Sequence, residues 1–223
     1  MSPSPICSPQ NSRREAFVPG RSTTRSSGLP CGPRRNDRQS ATGCALAIGF
    51  ARDERVVAHP VRAIERKNIP GAISLAEALD ATYWLLGPAE EGYDEELAEQ
   101  LRSARCRVVH RGWGDKEGFY LAADHIAFPS TWEGFGNPPI EASLHRRTVS
   151  VGDYPVAAEL LSHGFRWFRP DQVDSIRGSI DHPGSAALRE RLDHDEALAL
   201  RDFSVETMTA RLVALLDEAG WMP

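Results

Sequence analysis

From about residue 41 onward, short runs of β-branched and aromatic residues alternate with stretches that place apolar residues at helical spacing. This alternation limits the fold more than any other feature of the chain. "RVVAH" (55–59), "TYWLLG" (82–87), "CRVVH" (106–110), "HIAFPS" (125–130), "TVSVG" (148–152) and "FRWF" (165–168) read as strands. Between them, "PGAISLAEALDA" (70–81), "YDEELAEQLRSA" (93–104), "PPIEASLHR" (138–146) and "PVAAELLSHG" (155–164) read as helices. Strands separated by helices cannot close as hairpins. They are joined by right-handed crossovers, which gives an α/β fold with a parallel sheet flanked by helices. From about residue 184 the pattern is helical, in "SAALRERLDHDEALALRDF" and "SVETMTARLVALLDEAG".

The first 40 residues have a different texture. They are rich in Ser, Pro, Gly and Arg, with Arg13, Arg14, Arg21, Arg25, Arg34, Arg35 and Arg38 set against only Glu15 and Asp37. The whole chain carries a formal charge of -5, so the remainder holds about -10. A segment this poor in large aliphatic residues cannot bury enough apolar surface to offset the entropy of ordering, so 1–40 is expected to be disordered and 41–223 to form the domain. An arginine-rich tail that bound nucleic acid would interleave aromatic residues. This one does not, and it reads more simply as translated sequence upstream of the true coding start, so no nucleic-acid partner is expected.

The longest nearly apolar run, "CALAIGFA" (44–51), is far shorter than the roughly 20 residues a membrane span requires, so no transmembrane segment is expected. The twin arginine of "SRREAF" is followed by the polar "VPGRSTTRSSG" where an export signal needs an apolar stretch. Cys7, Cys31, Cys44 and Cys106 form no C-x-x-C pair, which suggests neither a disulfide framework nor a zinc site and leaves a reducing cytoplasm as the expected setting. None of the histidines has metal-ligand spacing. His59 and His110 end strands and are candidates to line a cleft, and "DHD" (193–195) falls in a charged helical pattern that reads as a solvated face.

In a parallel sheet, ligands bind beyond the carboxyl ends of the strands. "PSTWEGFGNPPIE" (129–141) falls there, after "HIAF" and before a helix. Glu133 is placed on the loop and Glu141 in the first helical turn. The glycines allow close backbone approach, the Pro pair suits a helix start, and the amides of Phe135, Gly136 and Asn137 can point at ligand oxygens. Two carboxylates so placed suit hydrogen bonding to hydroxyl groups. On these residues alone, two solvated acids, one of them a helix-start charge, fit equally well.

The longer stretch "ADHIAFPSTWEGFGNPPIEA" resembles the E-x7-E signature of the retaining glycosyltransferases of family 4, within the glycosyl transferases group 1. Other pieces follow in that family's order. "HPVRAIERKNIPGAISLAEAL" resembles its opening strand, loop and helix with an Arg-x4-Lys pair, "YWLLGP" its second strand, "FYLAAD" its Tyr-x-x-Ala-Asp helix and "RDFSVETMTARL" its closing helix. The resemblance covers roughly residues 41–218 and is specific because several spaced motifs agree.

It implies a Rossmann-like sheet that forms the C-terminal half of a GT-B fold, in a retaining hexosyltransferase using a nucleotide diphosphate sugar. It further implies that Arg62 and Lys67 bind the donor diphosphate. Glu133, as the catalytic carboxylate, would hold the donor sugar with Gly134, Phe135, Gly136 and Asn137, and Glu141 would hold the ribose. No covalent nucleophile and no metal or other cofactor is implied. Two departures stand out. "VGDYPVAAEL" lacks the family's Gly-Gly-x-Pro-Glu, with Glu159 as the available replacement. Nothing corresponds to the N-terminal domain that supplies the acceptor site, which takes roughly 100 residues or more. The expectation is therefore a donor-binding half that needs an N-terminal half in trans, or self-association. The alternative is a non-catalytic nucleotide-sugar-binding module or truncated remnant.

Overall fold

Four of the five strands are buried along their whole length, which only a sheet covered on both faces allows. In the computed structural model, which describes residues 49–112 and 116–221, these are β1 (Val56–His59), β2 (Thr82–Leu85), β4 (His125–Phe128) and β5 (Thr148–Val151). The fifth, β3 (Val108–His110), is half-exposed because it lies at the edge. All pairings are parallel and the order is β3-β2-β1-β4-β5. The chain thus builds outward from β1 in one direction, then returns to the other side of β1 for β4. This reversal opens a crevice between the carboxyl ends of β1 and β4.

The connections are helical. A short 3-10 turn (Glu65–Lys67) leads into α1 (Ile69–Ala78), followed by α2 (Asp94–Ser103), α3 (Lys116–Ala122), α4 (Asn137–Leu144) and α5 (Pro155–His163). Helices α6 (Val173–Asp181), α7 (Ala186–Phe203) and α8 (Val205–Glu218) complete the described chain. Ser185 and Ser204 cap α7 and α8, each accepting a hydrogen bond from the amide three residues on. The core is continuous across the sheet. Trp84 and Tyr83 of β2, Tyr120 of α3, Phe128 of β4, and Phe50 are its largest fully buried side chains. Helix α8 buries none of its residues, and Val205, Met208, Leu212 and Leu215 stand exposed along it.

Three sequence readings need correction. "FRWF" is not a strand: only Phe168 reaches β5, in a single parallel bridge to Ser150, while Phe165 and Trp167 stack on each other in the core. Helix α6 went unrecognised because it buries a single residue, Ile176, and contains Gly178. In "DHD", Asp193 is exposed and pairs with Arg146, but Asp195 is buried and accepts a hydrogen bond from the Arg166 amide at 2.8 Å. Burial pushes the Asp195 carboxyl up to about 6, against the opposing effects of that hydrogen bond and of His194, Arg191 and Arg166. The Arg-rich head (1–40) lies outside the described residues. No helix among the described residues is long and apolar enough to cross a membrane.

Candidate functional site

The turn after β1 and the loop after β4 face each other across the crevice, and backbone geometry locks them together. Asn68 takes a left-handed conformation (φ 53°), which only a few residue types tolerate, and its side chain caps α1 by accepting from the Gly71 amide. The same side chain donates to the Pro129 carbonyl at 3.1 Å. One turn earlier, the Arg66 carbonyl accepts from the Thr131 amide at 2.9 Å. These links hold the basic turn against the exit of β4.

The side chains they present converge on one carboxylate. Lys67 Nζ lies 2.5 Å from Glu133 Oε1, and Ser130 Oγ donates to the same oxygen at 2.6 Å. Arg66 Nη1 approaches Glu133 Oε2 at 3.3 Å. Lys67 and Glu133 are only 13% and 16% exposed, so this charged pair is shielded by protein and its hydrogen bonds are strengthened accordingly. The charges also reach their surroundings. Tyr154 is pushed up to about 12, first by burial and then by the Glu133 charge. His59, buried beneath at the end of β1, is pushed down to about 3 by burial and then by Lys67. His59 is therefore a neutral core residue bonded to the Tyr83 hydroxyl at 2.9 Å and does not line the cleft. His110 is exposed, with its Nε2 at 2.9 Å from the Gly87 carbonyl.

The other predicted site residues lie nearby but are engaged elsewhere. Arg62 does not join Lys67; its guanidinium pairs with Glu90 Oε2 at 2.6 Å on the surface. That contact follows from the backbone, because the loops after β1 and β2 are laced by a parallel bridge between Ala63 and Ala89. Glu141 lies on α4 just past its first turn, not within it as the sequence suggested, because the helix begins at Asn137, ahead of the Pro pair; there the buried Tyr120 hydroxyl donates to its Oε2 at 3.4 Å. The Tyr120 ring is stacked on His145 at 4.3 Å. Gly136, at φ 100°, is the N-cap of α4, so the Phe135 amide precedes the helix and the Asn137 amide belongs to its first turn, while Pro138 and Pro139 contribute none. Gly134 is open to solvent on its Cβ side, and Phe135 is half-exposed with its ring against Phe203.

A second cleft, of about 760 Å³, lies at the opposite, amino ends of the strands, and its lining includes the Glu54–Arg107 and Glu77–Arg105 ion pairs. Among the described residues no group of three or more His, Cys, Asp or Glu side chains is placed to hold a metal ion, and Cys106 is a free, half-buried thiol. What the crevice offers is a pair of cations, Lys67 and Arg66, beside a shielded carboxylate, followed in the chain by the start of α4, which carries a second carboxylate, Glu141. That arrangement suits an anionic ligand bearing hydroxyl groups.

The family described as glycosyl transferases group 1 matches residues 47–183. The chain belongs to this family. Its fold is that of solved group 1 and GT-B structures. It superimposes on Anabaena Alr3699/HepE in complex with UDP with a TM-score of 0.67 at 23% identity, covering 84% of this chain and 56% of that one. On the C-terminal domain of the group 1 protein LpcC from Francisella tularensis the TM-score is 0.54 at 17% identity, over 78% of this chain and 96% of that domain. In sequence it is 41% identical over 61 residues to the O-antigen chain mannosyltransferase RfbU of Salmonella typhimurium, which is 27% of this chain and 17% of that protein. The group 1 chain therefore spans about half of HepE and a smaller share of RfbU.

Arg66, Ser130 and Asn68 escaped the sequence reading, and Tyr120 entered it only as part of the Tyr-x-x-Ala-Asp helix, with no role at the site. Arg66 stood beside a residue already singled out, so the dibasic pair was a usable signal. Ser130 is three residues before Glu133, a spacing that in a tight loop brings a hydroxyl to a carboxylate. For Asn68 and Tyr120 the partners are distant in sequence, so no local pattern reveals these contacts.

Proposed function

We propose that this group 1 chain is the donor-binding half of a retaining, family 4 glycosyltransferase that works in the cytoplasm without a metal. The observation that carries this reading is the Lys67–Glu133 pair, which bridges the two loops at the β1/β4 crevice. Lys67 binds the donor diphosphate and Arg62 joins it by leaving Glu90. Glu133 and the amides of 134–137 hold the donor sugar, and Glu141 holds the ribose. In the reaction, the bond from the anomeric carbon to the diphosphate breaks while a bond to the acceptor oxygen forms on the same face. Lys67 and Arg62 then stabilise the negative charge that grows on the departing diphosphate. Glu133 stabilises the sugar as it acquires positive character. UDP in the HepE structure supports a nucleotide ligand for this fold.

The acceptor side comes from a further domain, in trans or through a second copy. Without it, positioning worth roughly 7–11 kcal/mol of barrier is absent, and slow hydrolysis of the donor is the expected activity. A second reading, a nucleotide-sugar-binding module without catalysis, is favoured by the engagement of the Glu133 carboxylate with Lys67, Ser130 and Arg66. Product formation from a panel of nucleotide sugars, with the anomeric configuration read by NMR, separates the two. Release of the sugar with retained configuration supports the enzyme reading. An inverted product contradicts it, and binding without any turnover supports the module.

A further inference from the structure

We infer that Arg66, which no motif assigned, is a positioning residue that holds the Glu133 loop in the conformation that receives the donor sugar. The inference rests on the proposed sugar-binding role of Glu133. Arg66 touches three successive residues of that loop. Its carbonyl accepts from the Thr131 amide at 2.9 Å and from Thr131 Oγ1 at 3.3 Å. Its guanidinium donates to the Trp132 carbonyl at 3.4 Å and to Glu133 Oε2 at 3.3 Å, and lies 5.7 Å from the centroid of the Trp132 ring.

An isolated surface ion pair contributes little, because holding two long side chains in one geometry costs entropy and water screens the charge. Arg66 differs in that its planar group is fixed on two sides, by the indole and by the Trp132 carbonyl, so less freedom remains to be lost per hydrogen bond. Its effect also falls on a defined atom. Lys67 and Ser130 both bind Oε1, leaving Oε2 to Arg66. Without Arg66, those two donors still grip one oxygen, but the carboxylate plane is free to turn about that point. Trp132, 56% exposed, would lose the guanidinium that covers one side of it. A carboxylate that accepts from sugar hydroxyls depends on the direction of its lone pairs, so rotation weakens the sugar contact while leaving the diphosphate contact in place.

The test uses the full chain with Arg66→Ala and Arg66→Lys and two readouts. The first is hydrogen exchange at amides 131–136 in the absence of any nucleotide. Arg66→Ala is expected to exchange about tenfold faster there, with the strand amides unchanged. The second is calorimetric affinity for UDP and GDP and for their glucose and mannose conjugates. Arg66→Ala is expected to weaken the nucleotide sugar about tenfold more than the bare nucleotide diphosphate. Arg66→Lys keeps the charge but not the planar stack and recovers part of both effects. Unchanged exchange at 131–136 overturns the inference. So does equal weakening of nucleotide and nucleotide sugar, which would make Arg66 a diphosphate contact. If the parent chain binds no nucleotide sugar, the proposed function fails, and the exchange readout still decides whether Arg66 holds the loop.

Discussion

Replacing Gly152 by Ala tests whether the closeness of the β4 and β5 exits is what shapes the site. A Cβ at this position would stand 2.0 Å from the Ser130 carbonyl oxygen and 3.0 Å from the Pro129 carbonyl carbon. Ordinary contact begins near 3.4 Å, so one backbone or the other must move by more than an ångström. Neither is free to do so. The Gly152 amide donates to Phe128 at 2.8 Å, and the neighbouring Val151 amide donates to Phe168 at 3.0 Å. Overpacking of this kind costs about 1–3 kcal/mol, and loss of the Gly152–Phe128 hydrogen bond adds about 1 kcal/mol, so a destabilisation of about 2–4 kcal/mol is expected. The same displacement carries Ser130 away from Glu133, breaking the 2.6 Å hydrogen bond between them. Urea unfolding measures the first effect and calorimetry with a nucleotide sugar the second. Gly112→Ala is the control, because its Cβ would meet only the Leu86 carbonyl at 3.5 Å. A loss below about 1 kcal/mol for Gly152→Ala, no larger than an average substitution, would refute the reasoning.

The buried ionisable groups give opposed pH effects. His59 and His125 are held down to about 3 by burial, below the ordinary 6.5, so the stability they give is present above pH 6.5 and is lost as the pH falls towards 3. Asp195 is raised from 3.8 to about 6, so its contribution is present below about pH 4 and is lost as the pH rises through 6. Around pH 5, unfolding should therefore take up roughly one proton net from these three groups, and roughly two in Asp195→Asn; equal slopes of stability against pH in the two proteins would count against the assignment. Asp195→Asn retains an acceptor for the Arg166 amide and should be more stable than the parent at pH 8 by up to about 3 kcal/mol, measured by urea unfolding. Glu141→Ala and Tyr120→Phe should each reduce the preference for UDP over its 2′,3′-dideoxy analogue, the former by about tenfold or more; a preference unchanged in Glu141→Ala would remove that residue from the ribose site.

Most of the sheet was legible because its strands are buried on both faces and so carry near-continuous apolar runs, as in "TYWL" and "HIAF". "FRWF" carries the same signal for a different reason. Its aromatic residues fill the space between β5 and the C-terminal helices, and Trp167 anchors to the Ser143 hydroxyl at 2.8 Å without pairing along a ladder. Asp195 shows the converse limit: a helical period can identify the helix, but the Arg166 amide that makes burial of a carboxylate tolerable comes from another segment. At the candidate site, Lys67 and Glu133 were found from motifs. The Arg66 and Asn68 contacts that position them span more than 60 residues and exist only once β1 and β4 lie side by side. The Arg62–Glu90 pair was hidden for the same reason, since it depends on the loops after β1 and β2 meeting.

The most direct test of a donor site at the β1/β4 crevice is calorimetric titration of the full chain with UDP and GDP, repeated with Lys67→Ala. Lys67 is nearly buried and its one charge faces the crevice through Glu133. Removing it should weaken the preferred nucleotide by roughly 1.5–3 kcal/mol, about tenfold to over a hundredfold, without changing the far-UV circular dichroism. Binding that is unaltered in Lys67→Ala, for whichever nucleotide the parent prefers, would place the ligand elsewhere and contradict the site.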